Sequence, residues 1–452
     1  MRLKYLIPFL LAAGLSATTW ANPYETTLKN GLRVIVKEDH RAPTAVQMVW
    51  YRIGSMDEID GASGVAHVLE HMMFKGTPTV GPGEFNKRVA AAGGRDNAFT
   101  SRDYTAYFQQ VPKEKLEDMM TLEADRMRHL NVDAKEFEQE IKVVMEERRM
   151  RTDDNPQSKL FEQMNAVAFQ VHPYRRPIIG WMNDLEAMTA ADAKRWYDAW
   201  YVPNNAYIVI TGDVDHEAVF ALAEKHYGSL EGHALPARRQ IVEPAQEGPR
   251  SITVKAPAEL PVLIMGYKAP ILRDIDRDSD PYALEMLAAI LDGHDAARFN
   301  KKLVREDKIA LSAGIDYDNT ARGPGMLYLH GTPSEGKTVA ELQAALHAEI
   351  ARVQKDGVSA AELKRAKAQL LAGQVYKLDS MFGQAMEIGQ IESAGLPYQK
   401  LDRMLEKLQN LTAADVQAVA KKYFTDDTLT IGILDPQPLD SKPRRPAVAT
   451  RH

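Results

Sequence analysis

The 452-residue sequence predicts an α+β fold made of two homologous halves. Strand-like runs at 32–36 and 251–254 lie among long amphipathic helical patterns and do not alternate regularly with them. The segment Thr-Ala-Ala-Asp occurs at 189–192 and again at 412–415, and each copy is followed by a helical stretch and a strand-like run. In both copies the threonine can cap a helix and the aspartate three residues later can complete a capping box. The matching order of elements indicates an internal duplication.

Residues 1–21 have the pattern of a secretory signal peptide. Arg2 and Lys4 give a positive start, residues 6–15 are largely apolar, and Ala21 suits a cleavage site. This apolar run is too short to span a bilayer, and no later run has the ~18 apolar residues that a spanning helix needs. We therefore expect an exported, periplasmic protein without a membrane span.

Composition narrows the chemistry that is available to the chain. The sequence contains no cysteine, so disulfides, thiolate metal ligands and cysteine nucleophiles are excluded. Any bound metal must then be held by histidine and carboxylate groups. The formal net charge is −6 and the chain has no basic block, which argues against nucleic acid as a partner.

The predicted domain boundaries follow from the proline and polar residues at 232–248, which interrupt the periodic pattern. We expect an N-terminal domain at 22–235 and a C-terminal domain at 250–436. Residues 437–452 contain proline and basic residues in a pattern that is typical of a disordered tail.

The segment His67-x-x-Glu70-His71 predicts a metal site. His67 and His71 are four residues apart, so on a helix they share one face and can bind one ion. Glu70 lies beside them and can take a proton from a water that the metal activates. The order His-x-x-Glu-His is the inverted form of a zinc-peptidase motif. A solvated helix face is the alternative, but the neighbouring residues are apolar nearly all round the helix, and buried polar groups need partners.

A third protein ligand is expected on the helix that Asp133 can cap. Glu140 and Glu147 are seven residues apart on this helix, so they share a face, and apolar residues lie between them. We interpret Glu147 as a metal ligand and Glu140 as a residue that supports a ligand. Glu146 points about 100° away from Glu147. The residues by themselves leave open that 146–149 is only a solvated charge run.

The pentapeptide together with Glu140 and Glu147 resembles the pitrilysin family of zinc metallopeptidases. This family includes insulin-degrading enzyme and the mitochondrial processing peptidases. Segments at 54–55, 74–77 and 172–174 are also similar to the family pattern. The resemblance covers about residues 25–435, so it includes nearly all of the expected mature chain.

The resemblance implies two homologous α/β-sandwich domains and one zinc ion per chain, held by His67, His71 and Glu147. It identifies residues 97–100 as a substrate-binding edge strand, with Asn97 and Ala98 as contacts. The substrate would add to this edge as a further strand through main-chain hydrogen bonds. Short or unfolded polypeptides are therefore the expected substrates.

The second half departs from the first. Its region 290–300, where we expect a copy of the metal helix, offers only His294, which predicts a domain without a metal. The family's second half often carries an arginine and a tyrosine seven residues apart that contact the substrate. Arg305 matches the arginine, whereas Ser312 stands at the tyrosine position. We therefore expect a dimer, either a homodimer or a heterodimer with a related subunit that completes the site.

The predicted activity is that of a zinc-dependent endopeptidase with Glu70 as the general base. Two alternatives come from other functional classes: a non-catalytic subunit of a related peptidase complex, and a chaperone-like protein that retains peptides without cleaving them. Because all four metal-site residues are present, the peptidase is preferred. Zinc content and cleavage of an unfolded peptide would separate the three.

Overall fold

The computed structural model of the chain describes residues 23–439. The predicted signal peptide at 1–21 lies outside the described residues, as does the predicted tail from residue 440 onward. Within residues 23–439, no helix is both long and apolar enough to cross a membrane.

The first half is built on a six-stranded sheet, with helices packed on it. The order of its strands is β1-β2-β6-β3-β5-β4, and the β2–β6 pair is its one parallel pair among the described residues. The strands are β1 (Tyr24–Thr27), β2 (Arg33–Glu38), β3 (Thr44–Tyr51), β4 (Arg95–Thr100), β5 (Thr105–Pro112) and β6 (Ala206–Gly212). The helices are α1 (Val65–Met72), α2 (Glu84–Ala91), α3 (Leu116–His129), α4 (Ala134–Arg148), α5 (Pro156–Ala168), α6 (Met182–Ala187), α7 (Ala190–Trp200) and α8 (His216–Tyr227).

The second half repeats this plan on a five-stranded sheet. The order of its strands is β7-β11-β8-β10-β9, and β7 and β11 form its parallel pair. The strands are β7 (Arg250–Pro257), β8 (Val262–Ala269), β9 (Ala310–Tyr317), β10 (Gly325–Pro333) and β11 (Leu429–Gln437). The helices are α9 (Asp280–Asp292), α10 (Val339–Asp356), α11 (Ala360–Asp379), α12 (Met381–Ser393), α13 (Leu401–Asn410) and α14 (Ala413–Tyr423).

The predicted α+β fold with two homologous halves is confirmed. In chain order and in sheet order, β2, β6, β3, β5 and β4 correspond to β7, β11, β8, β10 and β9. Helix α1 contacts α4, α7 and β4, and helix α9 makes the equivalent contacts with α11, α14 and β9. Both Thr-Ala-Ala-Asp segments form capping boxes, at Thr189 of α7 and at Thr412 of α14.

Two predicted positions in the second half were wrong. The counterpart of α1 is α9, which begins at Asp280, so the copy of the metal helix lies mostly before the region 290–300 where we expected it. Strand β11 extends to Gln437, so the first residue of the predicted tail belongs to the second sheet. Its pairing with β7 continues to the Gln437–Pro257 register and extends the edge of the sheet.

One helix of each half packs on the sheet of the other half, and we call these two the exchanged helices. Helix α5 of the first half packs on β7 and β11, whereas α12 of the second half packs on β3 and β6. The approach of α12 is close, because a Cβ atom on Gly389 would lie 2.1 Å from the ring of the fully buried Trp50. Residues of β3 and of the second half therefore share one hydrophobic core, and the halves are not independent packing units.

The segment between the halves has no helix or strand at 231–247 but is fastened to the first half. The carboxylate of Glu243 accepts hydrogen bonds from the backbone N–H groups of Gln170, Val171 and His172 at 2.6–3.0 Å. Arg238 pairs with Asp57 at 3.0 Å. These contacts fix the path of the chain from one sheet to the other.

Candidate active site

Helix α1 carries the His-x-x-Glu-His segment, and two close contacts fix where it begins. Gly64 at its N-cap has a φ of +89°, and a Cβ atom there would lie 2.6 Å from the carbonyl oxygen of Ile179. The carboxylate of Glu58 accepts the N–H groups of Gly64 and Ala66, both at 2.9 Å. Burial raises the pKa of Glu58 to about 8, although these two hydrogen bonds favour its charged form. Glu58 thus satisfies N–H groups that the helix itself leaves without partners.

The structure brings His67, His71 and Glu147 together. Nε2 of His67 is 3.7 Å from Oε1 of Glu147, and Nε2 of His71 is 3.3 Å from its Oε2. One nitrogen from each histidine and one oxygen of Glu147 all lie within 4.8 Å of one another. The two imidazoles come from α1 and the carboxylate from α4, and these two helices pack directly against each other.

The charges of these three groups are strongly coupled. Burial lowers the pKa of His67 to about 4, and the neighbouring His71 contributes to the shift. Burial also disfavours charge on His71, but its hydrogen bonds to Glu140 and Glu147 outweigh that effect and raise its pKa to about 9. For Glu147, burial is again outweighed by His71 and His67, and its pKa falls to about 2. A negative carboxylate next to two ring nitrogens is an arrangement that attracts a cation.

Glu140 contacts Nδ1 of His71, the ring nitrogen that does not face Glu147. Its Oε1 is 2.7 Å from Nδ1 of His71, and its other oxygen forms an ion pair with Lys75. A ring N–H on Nδ1 that donates to a carboxylate leaves Nε2 free to bind a metal. Glu140 therefore lies where we expected a supporting residue, and Lys75 is a further member of this network that the sequence did not indicate.

Glu70 lies on the same helix, and its partner is Thr100 at the end of β4. The Thr100 hydroxyl donates to Oε2 of Glu70 at 2.5 Å. Burial raises the pKa of Glu70, and the bond from Thr100 opposes that shift. A carboxylate with a raised pKa is a better proton acceptor, and a single bond to one oxygen leaves the other oxygen for a water.

Glu146 and Glu147 have different surroundings, as their spacing predicted. The side chain of Glu146 is 65% exposed and pairs with Arg149, whereas that of Glu147 is 16% exposed. Arg151, which follows α4 in a π-helical turn at Arg149–Asp153, also reaches Glu147 at 2.5 Å. The charge run therefore has a solvated side and a side that faces α1.

A cavity of about 1460 Å³ extends from these residues to the second sheet. Strand β4 lines it and forms the edge of the first sheet, since within residues 23–439 it pairs only with β5. Asn97 and Ala98 lie on this strand, and the Ala98 N–H donates to Oδ1 of Asn97 at 2.9 Å. This side chain covers one outward N–H of the edge, as polar groups often do on exposed strands.

The second half contributes a different set of residues to the cavity than the sequence predicted. Arg305 does not line it; the residue is exposed and donates to the Asp295 carbonyl. Instead Asp316, Tyr328 and His330 of strands β9 and β10 line the cavity. The substrate contact expected for Arg305 from the family resemblance stays a prediction, and this cavity gives it no support.

The donor set at the site fits a zinc ion. Two imidazole nitrogens and one carboxylate oxygen are a set that catalytic zinc uses, with a fourth position open. The absence of cysteine leaves this His₂Glu set as the one that matches the chain's composition. Nδ1 of His67 is buried and has no hydrogen-bond partner among the described residues, so no described protein group occupies that ring nitrogen.

Comparisons with known proteins agree with this geometry. Residues 33–181 match the family model described as insulinase, peptidase family M16, and residues 187–370 match the model described as the peptidase M16 inactive domain. The chain is 32% identical to the zinc protease PqqE of Helicobacter pylori over 438 residues, which is 94% of this chain and 96% of that protein. This chain belongs to peptidase family M16.

Solved structures of other M16 proteins share the fold. A protease from Helicobacter pylori has a TM-score of 0.87 and 31% identity over 92% of this chain and 100% of its own. The periplasmic protease PqqL of Escherichia coli has a TM-score of 0.79 and 19% identity over 92% of this chain, but this region is 48% of its own chain. The pitrilysin-like resemblance that the motif indicated is therefore confirmed, and this M16 chain spans about half the length of PqqL.

Proposed function

We propose that this chain is a zinc-dependent endopeptidase that hydrolyses short or unfolded polypeptides. The observation that supports this proposal best is the convergence of His67, His71 and Glu147 beside the buried Glu70, all in one cavity. When it is bound by these three residues, zinc supplies Lewis-acid chemistry that polarises a carbonyl and makes water more acidic.

Proton transfer and the orientation of the reacting groups are assigned to residues of the chain. Glu70 takes a proton from the attacking water and delivers it to the leaving amine. Thr100 orients Glu70 by the 2.5 Å hydrogen bond, and Glu140 orients His71 through Nδ1. Thr100 lies on β4 and Glu70 on α1, so the position of the general base depends on how β4 packs against α1.

The substrate is proposed to bind as a strand beside β4. Its carbonyl groups would accept main-chain hydrogen bonds from the edge, and at Ala98 a substrate carbonyl would replace Oδ1 of Asn97. Binding through the main chain tolerates many side chains, so a range of unfolded sequences fits. The facing wall is apolar in part, with Val262, Ile264 and Tyr328 of the second half.

We further propose that the chain is exported to the periplasm and works as a dimer. The signal-like residues 1–21 motivate the first proposal, and one neighbour in fold is named a periplasmic protease. The dimer is motivated by the second half, where Ser312 stands seven residues after Arg305 at the position in which the family often carries a tyrosine. Two copies, or one copy and a related subunit, would then enclose the substrate.

Metal analysis tests the proposal. The purified protein should hold one zinc per chain, and His67→Ala, His71→Ala and Glu147→Gln should each lower the zinc content. Glu146→Gln is the matched control, because it changes the neighbouring carboxylate on the exposed face. Full zinc in all three variants would contradict the assignment. A protein that holds zinc but does not cleave an unfolded peptide, alone or with a related subunit, would instead be a non-catalytic or chaperone-like subunit.

A further inference from the structure

The second half keeps the helix pair that forms the metal site in the first. Helices α9 and α11 contact each other as α1 and α4 do, and a cavity of about 320 Å³ lies beside them. This volume is at the small end of the range of roughly 300–1000 Å³ for ligand sites. Its walls come from both halves: loop residues 101, 103 and 104 of the first half, and α9, α11, α12 and α13 of the second.

The cavity has an open rim and a polar floor. Asp318 and Gln390 at the rim are exposed. Asn319, Gln374 and Glu387 are buried, with exposed fractions of 9%, 9% and 8%. A small solute therefore has access to buried polar groups.

The lining is strongly acidic. Four carboxylates line the cavity, namely Asp103, Glu285, Asp318 and Glu387, against one cation, Lys377. Oε2 of Glu387 is buried and has no hydrogen-bond partner among the described residues, while its Oε1 accepts a bond from Gln374. A buried carboxylate oxygen without a donor is costly, and a ligand that donates a hydrogen bond would remove that cost.

Glu285 is a second carboxylate of the cavity and is partly exposed. It lies on α9, and its Oε2 accepts a hydrogen bond of 2.8 Å from the side-chain amide of Asn319. Burial raises the pKa of Glu285 to about 7, with Lys377 and Asn319 opposing and Asp318 adding to the shift. The charge of Glu285 is coupled to Lys377, Asp318, Tyr282 and Tyr317. The other charged or titratable groups that face α9 contact its Tyr282 or Asp280, and they are Arg403, Lys407, Lys422 and Tyr423.

Three tyrosines complete the lining, of which Tyr104 and Tyr317 are partly exposed and Tyr282 is fully buried. The hydroxyl groups of Tyr282 and Tyr317 donate to the carbonyls of Ile275 and Pro270, and that of Tyr104 accepts from Gln390. The hydroxyl groups of Tyr282 and Tyr317 are thus committed to backbone carbonyls, and the rings of Tyr104 and Tyr317 form partly exposed aromatic surface of the cavity. Aromatic rings with a nearby carboxylate are the surroundings that organic ammonium groups prefer.

We propose that this cavity binds an aliphatic amine, with its ammonium group at Glu285 and its alkyl chain against the partly exposed rings of Tyr104 and Tyr317. An inorganic metal ion fits less well, because no group of three metal-ligating atoms within reach of one another includes these carboxylates in the described part of the chain. An extended organic cation can contact carboxylates that are too far apart to share one ion. This site goes beyond the proposed peptidase activity and does not depend on it.

Lys377 does not already fill this role. Its side chain is 62% exposed, and its ammonium nitrogen is 3.9 Å from Glu387. At that exposure its charge is screened by water and is a weak partner for a buried carboxylate. The ammonium group of a bound amine would lie deeper than that of Lys377. The two positive charges would compete for the same carboxylates, Glu285 and Glu387.

The position of the cavity links it to the peptide-binding edge. Ser101, Asp103 and Tyr104 follow directly on β4, which ends at Thr100, the partner of Glu70. A ligand there contacts this loop from the first half and α9, α11, α12 and α13 from the second. Its binding should therefore also stabilise the association of the halves.

Calorimetric titration of the zinc-loaded full chain tests the site without any measurement of hydrolysis. The probes are 1,4-diaminobutane and butylamine, with butan-1-ol as an uncharged control and a capped lysine amide to distinguish free amines from peptide side chains. The amines should bind and butan-1-ol should not. Because a cation favours ionised Glu285, the affinity should rise as the pH increases through about 7.

Variants decide the outcome. Glu285→Gln should weaken amine binding by about 10- to 100-fold, the factor for losing a charged hydrogen bond. Lys377→Gln, at the rim, should tighten binding by about two- to fivefold, because it removes an exposed like charge. Glu335→Gln is the control, since Glu335 is exposed and lies outside the cavity. Amine binding that is absent in the wild type, or unchanged in both Glu285→Gln and Lys377→Gln, would overturn the proposal. If Glu285→Gln does not fold, the amine affinity of Lys377→Gln tests the proposal by itself, and an unchanged affinity in that variant overturns it.

Discussion

The hydroxyl of Thr100 donates a 2.5 Å hydrogen bond to Glu70, and this contact joins the edge strand to the helix that carries the metal-site histidines. Thr100 is the last residue of β4, two residues after Ala98, so the strand that is proposed to hold the substrate also holds the base. Binding and proton transfer are therefore coupled through one strand.

Thr100→Val tests this coupling. The variant keeps the shape of the side chain but loses the donor, so Glu70 is no longer oriented. We expect kcat to fall by about 10- to 100-fold, the usual effect of losing a group that orients a metal-site residue, with zinc content unchanged. Thr100→Ser, which retains the hydroxyl, should stay close to the wild type. Equal activity in both variants would show that the hydrogen bond does not position the base.

Ala98→Pro tests the substrate strand. Proline has no N–H to donate to an added strand, and an edge position tolerates its ring better than a central one. The Michaelis constant for an unfolded peptide should rise while zinc content stays the same. Ala98→Ser retains the N–H and serves as the control. If a folded Ala98→Pro variant has the same Michaelis constant as the wild type, the strand-addition model fails.

Substitution by alanine should have opposite effects at two glycines of the second half, Gly389 on α12 and Gly373 on α11. In Gly389→Ala the added Cβ atom would lie 2.1 Å from the ring of Trp50, so the free energy of unfolding should fall by about 1–3 kcal/mol or more. In Gly373→Ala, on α11, nothing lies within 4 Å, so the unfolding free energy should rise by about 0.5–1 kcal/mol. Urea unfolding measures both. A neutral Gly389→Ala would mean that α12 does not pack on β3 as described.

His172 predicts a pH dependence of stability. Burial lowers its pKa to about 4, and the nearby cations Lys268, Arg102 and Arg176 add to the shift against the opposing Glu243. The folded state thus holds the neutral ring. Its stabilising contribution is complete above the unfolded pKa of about 6.5 and is lost as the pH falls from 6.5 toward 4.

His172→Asn isolates this contribution. Asparagine can accept the N–H of Tyr174 as Nδ1 of the imidazole does at 3.2 Å, but it does not titrate. The loss of unfolding free energy between pH 7 and pH 5 should therefore be smaller in the variant than in the wild type. The metal-site groups titrate in both proteins, so they cancel in the comparison. The same pH dependence in both would exclude His172 as the source.

The sequence predicted those parts of the site that depend on local geometry. The spacing of His67 and His71 on one helix, and of Glu140 and Glu147 on another, follows from the helical period. The structure brings His67, His71 and Glu147 together and places Glu140 against Nδ1 of His71. The Thr-Ala-Ala-Asp copies predicted the duplication because capping is also local. These features need no knowledge of how distant segments pack.

Features that depend on tertiary packing were missed. The Thr100–Glu70 bond joins residues 30 apart, and the Glu58 carboxylate caps α1 from outside the motif. The exchange of α5 and α12 leaves no signal in the period of either helix. Arg305 was expected as a substrate contact from the family resemblance, whereas the residues of the second sheet that line the cavity, Asp316, Tyr328 and His330, were not predicted. Each of these requires the relative positions of two elements that no local pattern encodes.

The most direct test of the account compares hydrolysis by wild type and Glu70→Gln, with zinc measured in the same samples. The test substrate is an unfolded peptide that carries a fluorophore and a quencher. Glutamine has nearly the shape of glutamate but cannot accept the proton from water. We predict one zinc per chain in both proteins, hydrolysis by the wild type and its loss in Glu70→Gln. Wild-type turnover in a zinc-loaded Glu70→Gln variant would contradict the central claim that Glu70 is the general base.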